Sequence, residues 1–507
     1  MNAARRIADP FIRVREVISY CPYSHYWNSM TPELKKTYFM CYWPEEHVRR
    51  HLEMLRAFGY NSIQTTANPL IAVFAGIDPK QWRTRLIWMC QTAKQLGMSV
   101  AQHLWANAAC DQTDGKWDTS SRALDWHSPD DRARLEIWYR DQVELTPYVD
   151  RLITHWGDPG GPVCDQCTID TAIEMHNHIL GFFRKANPRL QTAFSLWYLT
   201  FGYTKWRGYT DPGGVAAKKT LDPESEIVLG VSNRMADGVN FDWCAELKAS
   251  DFDAIIANKR RVGIWAWYTS DIEIEPSLHV RTDLMQRYFR SLPAQTRTDV
   301  AWHTTDDTTQ GLNLHNLYVA GQLMQDPSLD AQKLLDEFVV GYVGELPAPA
   351  VAAALRAIEQ TRTRSRCFDY RIEDQDPTYL PQLERKEPVT LPPGWVSASI
   401  TTVEAALVGL KTVKLEPAFK TTWPVSLGPA DFLDELNAHL LSIRQMLAFL
   451  DGVSGVIRLR AGGAPKAQWE AAIHALPPVI YDSAHTAGLD AKVYEKKLAA
   501  LKKAYLA

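Results

Sequence analysis

The sequence lacks the features that would place the chain in a membrane, on nucleic acid or in a disulfide scaffold. No uninterrupted apolar run approaches the roughly 20 residues that span a bilayer, so no membrane partner is expected. Lysine and arginine number 55 against 59 aspartates and glutamates, which gives a formal net charge of −4 and disfavours a nucleic-acid partner held by its phosphates. The eight cysteines are scattered over 507 residues, a pattern typical of reduced thiols in a cytoplasmic protein.

Two further patterns are missing near the amino terminus. Asp9 and Pro10 come before any apolar signal-peptide core can form, so the sequence predicts a cytoplasmic location. No GxGxxG motif follows the first predicted strand, which argues against a dinucleotide-binding fold. We therefore predict no cofactor.

Aromatic residues, by contrast, are abundant. The chain contains 18 tryptophans, 20 tyrosines and 16 phenylalanines. Tryptophan at this level exceeds what the packing of a core usually requires. The composition therefore points to a site built from flat rings that have both an apolar face and a polar edge.

One pattern recurs eight times between residues 15 and 305. A short β-rich run ends in polar or aromatic residues and is followed by a stretch with helical periodicity. Eight such units match the size of a (β/α)8 TIM barrel, so we predict an α/β fold with this barrel over residues 1–309. The eight runs are residues 15–20, 61–66, 98–105, 151–156, 190–197, 227–233, 262–268 and 299–304.

The pattern changes after residue 310. The spacing of apolar residues predicts a C-terminal α-helical domain over 310–507, with a long loop at 368–393 and a basic amphipathic end at 491–506 that we interpret as a solvated face. An apolar helix face can pack against another domain or against a second copy of the chain, so a homo-oligomer is possible. The predicted helices are 312–341, 348–362, 397–414, 429–450 and 464–475.

Chemistry in a barrel of this class is expected at the carboxyl ends of the strands, where the βα loops converge. Tryptophans stand at five of the eight predicted strand ends, together with histidine, asparagine and arginine side chains. Indoles stack on the flat faces of sugar rings and the polar groups bind hydroxyls, so we predict a carbohydrate substrate. The candidate substrate-binding residues are His103, Trp105, Asn107, His155, Trp156, Trp197, Asn233, Arg234, Trp267, Tyr268, His303 and Asp306.

Glycoside hydrolysis requires two carboxyl groups across the scissile bond. Asp158 follows the fourth predicted strand in alternation with Thr154 and Trp156, and we predict that it is the general acid. Asp271 or Glu273, after the seventh strand, would be the nucleophile or base. Two structural alternatives stay open: Asp158 before a proline would also shape a turn, and Asp271 would also cap a helix.

Two patterns raise the question of a metal. Cys164 and Cys167 form a CxxC motif, but zinc needs two more ligands and none is evident near them, so we expect a loop-stabilising thiol pair and no metal. His103, His155 and His303 at strand ends also admit a metal-dependent hydrolase or lyase, which a chelator would inactivate. A barrel that binds carbohydrate without turnover is the other alternative.

Several short segments resemble one group of enzymes. They are residues 58–64, 156–158, 164–167, 263–268, 311–318, 326–330, 334–338 and 342–344. This set is similar to the barrel glycoside hydrolases that include α-glucuronidases, β-N-acetylhexosaminidases and endo-β-N-acetylglucosaminidases, over roughly residues 15–350. The resemblance implies an enzyme that cleaves a glycosidic bond, with its acid near the end of the fourth strand and a helical domain after the barrel.

Overall fold

The first part of the chain forms an α/β barrel, as predicted. Eight parallel strands close on themselves in the order β1, β2, β3, β6, β7, β8, β9, β10. These strands are β1 (Val14–Ile18), β2 (Ser62–Thr65), β3 (Ser99–Trp105), β6 (Arg151–His155), β7 (Gln191–Ser195), β8 (Glu226–Ser232), β9 (Val262–Trp267) and β10 (Val300–Asp306). The computed structural model describes residues 10–18, 40–68, 77–113, 116–156, 160–196, 206–232, 249–267, 278, 280–291, 300–306, 314–361, 394–416 and 428–477.

A hairpin between β3 and the next helix was not predicted. Strands β4 (Ala108–Thr113) and β5 (Lys116–Ala123) pair antiparallel, outside the barrel sheet. Its sequence carries threonines and a tryptophan, residue types that are enriched in strands. The repeating pattern of the barrel has one strand in each strand–helix unit, so it does not predict the two additional strands of this hairpin.

Each barrel strand is followed by a helix, and local signals explain where several begin and end. The first helix starts after Pro44 with Glu45 and Glu46 in its first turn, and the chain leaves it through Gly59 at a φ of 107°. Thr168 and Thr171 form a capping box on the helix after β6. These helices are α1 (Glu45–Ala57), α2 (Pro79–Gln95), α3 (Pro129–Gln142), α4 (Ile169–Ala186), α5 (Pro212–Ala216), α6 (Ala249–Ala257), α7 (Thr282–Ser291) and α8 (Leu314–Gln325).

Polar side chains fill one level of the barrel interior. Glu16 on β1 is fully buried and accepts hydrogen bonds from Ser62 Oγ at 2.6 Å and from Arg151 Nη1 at 3.1 Å. The three residues lie on different strands, so their side chains meet inside the closed sheet. This network marks which side of β1, β2 and β6 faces inward.

Two glycines allow a close approach between α8 and the turn after α1. A Cβ at Gly321 would overlap the carbonyl oxygen of Phe58, and one at Gly59 would overlap the Gln325 side chain. Tyr60 completes the contact by donating to the Leu317 carbonyl at 3.0 Å. Both glycines are therefore needed because no side chain fits where the two segments meet.

Replacing Gly321 with alanine is expected to destabilise the protein by about 1–3 kcal/mol, the usual cost of overpacking. Gly181 on α4 is the control, because its position is exposed and a Cβ there meets nothing within 4 Å. The Gly181→Ala variant is expected to gain up to about 1 kcal/mol from the lower entropy of alanine in the unfolded chain. Equilibrium denaturation of both variants is the measurement, and equal stabilities would contradict the argument.

The chain forms two compact units. The first unit comprises residues 1–273, 283–309 and 317–331, and the second comprises 274–282, 310–316 and 332–507. The division at residue 310 stays a prediction about separately folding domains. In the second unit the described helices after residue 330 are α9 (Ala331–Val343), α10 (Ala348–Thr361), α11 (Trp395–Leu410), α12 (Pro429–Ala461) and α13 (Lys466–His474).

Two predicted helices have different bounds in the structure. The single helix expected over 312–341 is interrupted at residues 326–330, where Asp326 accepts from the amide and the hydroxyl of Ser328. Helix α12 continues to Ala461, past the predicted end at residue 450. The predicted loop at 368–393 and the basic end at 491–506 lie outside the described residues.

Among the described helices, none is long and apolar enough to cross a lipid bilayer.

Candidate active site

An aromatic cluster lies at the carboxyl ends of three barrel strands. The His103 ring on β3 is 5.0 Å from the His155 ring on β6 and 5.0 Å from the Trp265 ring on β9, measured between centroids. His155 and Trp265 are 5.5 Å apart, so the three rings form a closed triangle. Trp105, two residues further along β3, contacts His103 edge to face at 6.5 Å. We call these four residues the ring cluster.

Strand alternation explains why these side chains meet. Arg151 points inward to Glu16, and Ile153 and His155 follow on the same side of β6. Thr154 lies on the other side, where its hydroxyl contacts Nδ1 of His176 on α4 at 2.9 Å. His155 is therefore placed in the barrel interior by its register relative to the buried ion pair.

His103 is held in its neutral form. Complete burial lowers the pKa of this imidazole to about 3, so it carries no charge at physiological pH. Among the atoms that the structure describes, its Nε2 has no hydrogen-bond partner. A buried neutral imidazole with one uncommitted nitrogen can bind a hydroxyl group of a ligand.

A second uncommitted polar group lies on β2. Gln64 is fully buried, two residues beyond Ser62 on the inward side of the strand. Its amide nitrogen and oxygen both lack partners among the described atoms. Buried polar groups of this kind are rare unless water or a ligand satisfies them. His103 Nε2 and the side-chain amide of Gln64 are therefore buried hydrogen-bonding groups in the barrel interior without a partner among the described atoms.

The buried histidines make folding stability depend on pH. His103, His176 and His439 each have a pKa of about 3 in the folded protein, against about 6.5 in the unfolded chain. Their contribution to the free energy of unfolding has its full value above pH 6.5 and is lost as the pH falls, because only the unfolded chain binds the protons. Each histidine is expected to lower the free energy of unfolding by about 1.4 kcal/mol for each pH unit below 6.5.

Denaturation between pH 5 and 6.5 tests this expectation, since most carboxylates titrate below that window. The His103→Phe variant keeps a buried ring but cannot bind the proton. Its stability is therefore expected to fall less steeply with decreasing pH, by about one proton's contribution. An unchanged slope in this variant would show that His103 titrates normally in the folded protein.

Asn107 has a different role from the predicted one. Its amide nitrogen donates to the Gly161 carbonyl at 2.6 Å, and its amide oxygen accepts from the Gly161 backbone N–H at 3.2 Å. Gly160 and Gly161 have φ values of 136° and 121°, a region open to glycine. In this structure Asn107 therefore anchors the loop that follows β6, rather than presenting its amide to a substrate.

Trp156 is a core residue in the structure and not a sugar-stacking one. Its side chain is fully buried and packs on Phe194 at 5.3 Å and on Trp206 at 6.0 Å, while Trp206 Nε1 donates to its carbonyl at 3.3 Å. Like Thr154, it lies on the side of β6 opposite to His155. The prediction from residue type was wrong here, because adjacent residues of a strand face opposite sides.

All three predicted catalytic residues and four of the predicted substrate-binding residues lie outside the described residues. Asp158 was predicted as the general acid because it alternates with Thr154 and Trp156 along the strand. In the structure these two residues do not face the barrel interior, and the role of Asp158 stays a prediction. Trp267, His303 and Asp306 lie on described strands, but their side chains are not described. The predicted residues outside the description are Asp158, Asp271, Glu273, Trp197, Asn233, Arg234 and Tyr268.

Sequence reasoning missed Trp265 and Gln64. Trp265 shares the parity of Trp267 on β9, and that alternation was an available signal. Gln64 is the long polar residue in the middle of the predicted second strand, and its burial was not evident from the sequence. Among the described residues, His103 and His155 belong to no group of three metal-ligating side chains.

No protein-family model matches the chain, and no curated protein matches its sequence. The fold resembles solved glycoside hydrolases. A family 138 enzyme targeting pectin rhamnogalacturonan II superposes with a TM-score of 0.53 at 10% identity, over 98% of this chain and 63% of that one. A family 115 4-O-methyl-α-glucuronidase with specificity for decorated arabinogalactans gives 0.51 at 12% identity, over 97% and 62%.

A third similar structure is a family 89 enzyme from Clostridium perfringens in complex with its substrate GlcNAc-α-1,4-galactose. It gives a TM-score of 0.51 at 10% identity, over 97% of this chain and 58% of that one. The chain thus spans about six tenths of the length of these three structures. At these identities the likeness is one of fold.

Proposed function

We propose that the protein hydrolyses a glycosidic bond, with the sugar bound at the carboxyl end of the barrel. The observation that carries this proposal is the ring cluster, in which two histidines and two tryptophans from three strands meet where barrel enzymes place their chemistry. Indole faces and the neutral imidazole of His103 suit a ligand with apolar C–H faces and many hydroxyls. The likeness of fold to glycoside hydrolases supports the same reading.

In this proposal the two carboxyl groups come from loops on different sides of the barrel mouth. Asp158 follows β6 and protonates the leaving oxygen, while Asp271 or Glu273 follows β9 and acts as nucleophile or base. Strands β6 and β9 are separated by β7 and β8 in the barrel, so the two carboxyl groups start from strands that are not neighbours. Asn107 supports the first loop through Gly161.

The remaining candidate residues are assigned to substrate binding. Trp105, Trp197, Trp267 and Tyr268 supply stacking surfaces, and His103, His155, Asn233, His303 and Asp306 bind hydroxyls. Arg234 is proposed to pair with a substrate carboxylate, so uronic acids are the first sugars to test. One of the similar structures is named a 4-O-methyl-α-glucuronidase, which supports the choice of uronic acids as the first class to test.

An activity screen tests the proposal. The full chain is incubated with aryl glycosides, including uronides, and with plant and bacterial oligosaccharides, and released sugar is measured by chromatography. Turnover of one sugar class above the rate without protein supports the hydrolase. If calorimetry detects binding of a sugar that the protein does not hydrolyse, the result would reject hydrolysis. It would favour the alternative of a barrel that binds carbohydrate without turnover.

A separate kinetic measurement tests whether Arg234 recognises the carboxylate of a uronic acid. For an active uronide, the Arg234→Met variant is expected to raise KM at least about tenfold, with a smaller effect on the matching neutral glycoside, because the ion pair to the carboxylate is lost. Equal effects on both substrates would remove Arg234 from carboxylate recognition.

A further inference from the structure

A second group of reactive side chains lies on two neighbouring loops of the barrel. Asp125 and His127 precede α3, and Cys164 and Cys167 precede α4. The ligating atoms of His127, Cys164 and Cys167 all lie within 4.8 Å of one another. The Cys164 thiol donates to Asp125 Oδ1 at 3.2 Å, and the same oxygen is 3.8 Å from Cys167 Sγ. We call these four residues the thiol cluster.

Three distances in the thiol cluster fit the edges of a tetrahedron around a metal ion. The two sulfurs are 3.3 Å apart, and Asp125 Oδ1 lies 3.2 Å from Cys164 Sγ and 3.8 Å from Cys167 Sγ. Zn–S bonds of about 2.3 Å at the tetrahedral angle separate two sulfurs by about 3.8 Å, and a sulfur from an oxygen or nitrogen by about 3.6 Å. These three separations lie within about half an ångström of the ideal values, and the His127 nitrogen, within 4.8 Å of both sulfurs, would move toward them to complete the site.

The backbone already holds the carboxylate in place. Asp125 Oδ1 accepts from the backbone N–H of His127 at 3.0 Å, which positions both residues relative to the thiols. Thr171 Oγ1 lies 3.4 Å from His127 Nε2 and orients the ring. Ligands fixed in this way lose little conformational freedom when an ion binds.

We propose that the thiol cluster binds one Zn²⁺ ion through two thiolates, one imidazole and one carboxylate. Thiolate and imidazole ligands in tetrahedral geometry favour zinc over the hard cations magnesium and calcium. Four protein ligands leave no open position, so the ion is structural. Its binding releases the two thiol protons to solvent and involves no redox change.

The zinc ion would join two loops that Asn107 and Gly161 also link by hydrogen bonds. Residues 156–168 connect β6 to α4, and residues 106–128 lead from β3 to α3. The Asn107 amide links the first half of this loop pair, and the thiol cluster links the second half. Zinc would therefore link the segment around Cys164 and Cys167 to the segment around His127, whether or not the protein is a glycosidase.

A disulfide is the competing interpretation of Cys164 and Cys167. A disulfide needs sulfurs about 2.05 Å apart, whereas these are 3.3 Å apart with both thiols free. A disulfide would also not explain why His127 and Asp125 lie beside the two sulfurs. The zinc site accounts for all four residues.

Metal analysis of the full chain tests the proposal. The protein is stripped with a chelator, reduced, loaded with Zn²⁺, and measured by mass spectrometry for zinc per chain. One equivalent is expected in the wild type, and Cys164→Ser, Cys167→Ser and His127→Gln are each expected to weaken binding at least about tenfold. Cys90→Ser and His474→Gln are the controls, because Cys90 is a buried thiol and His474 an exposed imidazole outside the thiol cluster.

Cobalt substitution provides a readout that does not depend on the folding of a variant. Co²⁺ in the wild-type site is expected to show the thiolate charge-transfer and d–d bands of a tetrahedral complex. Absence of these bands, or of zinc in reduced wild-type protein, would overturn the proposal. So would equal zinc content in the control variants and in the cluster variants, since that result would mark surface binding only.

Discussion

Replacement of Asp158 by asparagine is expected to lower the turnover of an active glycoside by about 10²- to 10⁴-fold, the range that general acid catalysis contributes. Asparagine keeps the size and the turn-forming ability of aspartate, but it cannot give a proton to the leaving oxygen. The substitution therefore separates the acid role from the alternative that Asp158 only shapes the turn before Pro159. Steady-state kinetics on the substrate found in the screen is the measurement.

The leaving group makes this test specific. An aryl leaving group that departs without protonation is expected to lose much less rate in Asp158→Asn than an alkyl or sugar leaving group. Asp170→Asn is the matched control, because Asp170 is an exposed carboxylate on the first turn of α4 that pairs with Lys218. Retention of more than a few per cent of the wild-type rate on a sugar leaving group would remove Asp158 from the acid role.

Removal of Glu16 is expected to destabilise the protein by about 3–5 kcal/mol, the cost of removing one charge of a buried ion pair. Glu16 and Arg151 are 3.1 Å apart with side chains 0% and 4% exposed, so the pair is shielded from solvent. Ser62 would lose its acceptor as well. Denaturant unfolding of Glu16→Ala, followed by far-ultraviolet circular dichroism, measures the loss.

Two controls separate this effect from the removal of any ion pair. Arg50 and Glu46 form a pair of similar length, 3.0 Å, but both side chains are more than 60% exposed, so Glu46→Ala is expected to cost less than about 1 kcal/mol. The double variant Glu16→Gln, Arg151→Met removes both charges and is expected to recover part of the loss. A cost for Glu16→Ala as small as that for Glu46→Ala would contradict the burial argument.

The eight barrel strands were predictable because each is a local pattern. A run of β-branched and apolar residues followed by an amphipathic helix depends on residues close together in the chain. The turn at Gly59 was also local, since its φ of 107° suits glycine. The hairpin of β4 and β5 was not predicted, because its strands lie outside the repeating pattern.

The direction of side chains was harder to predict than the strands themselves. His155 and Trp156 are adjacent and were both assigned to substrate, yet one lies in the ring cluster and the other in the core. A shift of one residue exchanges the two faces of a strand. Only the position of Arg151 opposite Glu16, more than 130 residues away in the chain, decides which face is inward.

The sequence by itself determined the number and order of the barrel strands, most of the helices, and the excess of tryptophan that suggested a carbohydrate site. The tertiary structure decided which of these residues meet. It joined His103, His155 and Trp265 from three strands, and it brought Asp125 and His127 to the CxxC motif for which the sequence offered no further ligands. The physical reason is that helix and strand formation depends on neighbours in the chain, whereas a site depends on distances set by closure of the barrel.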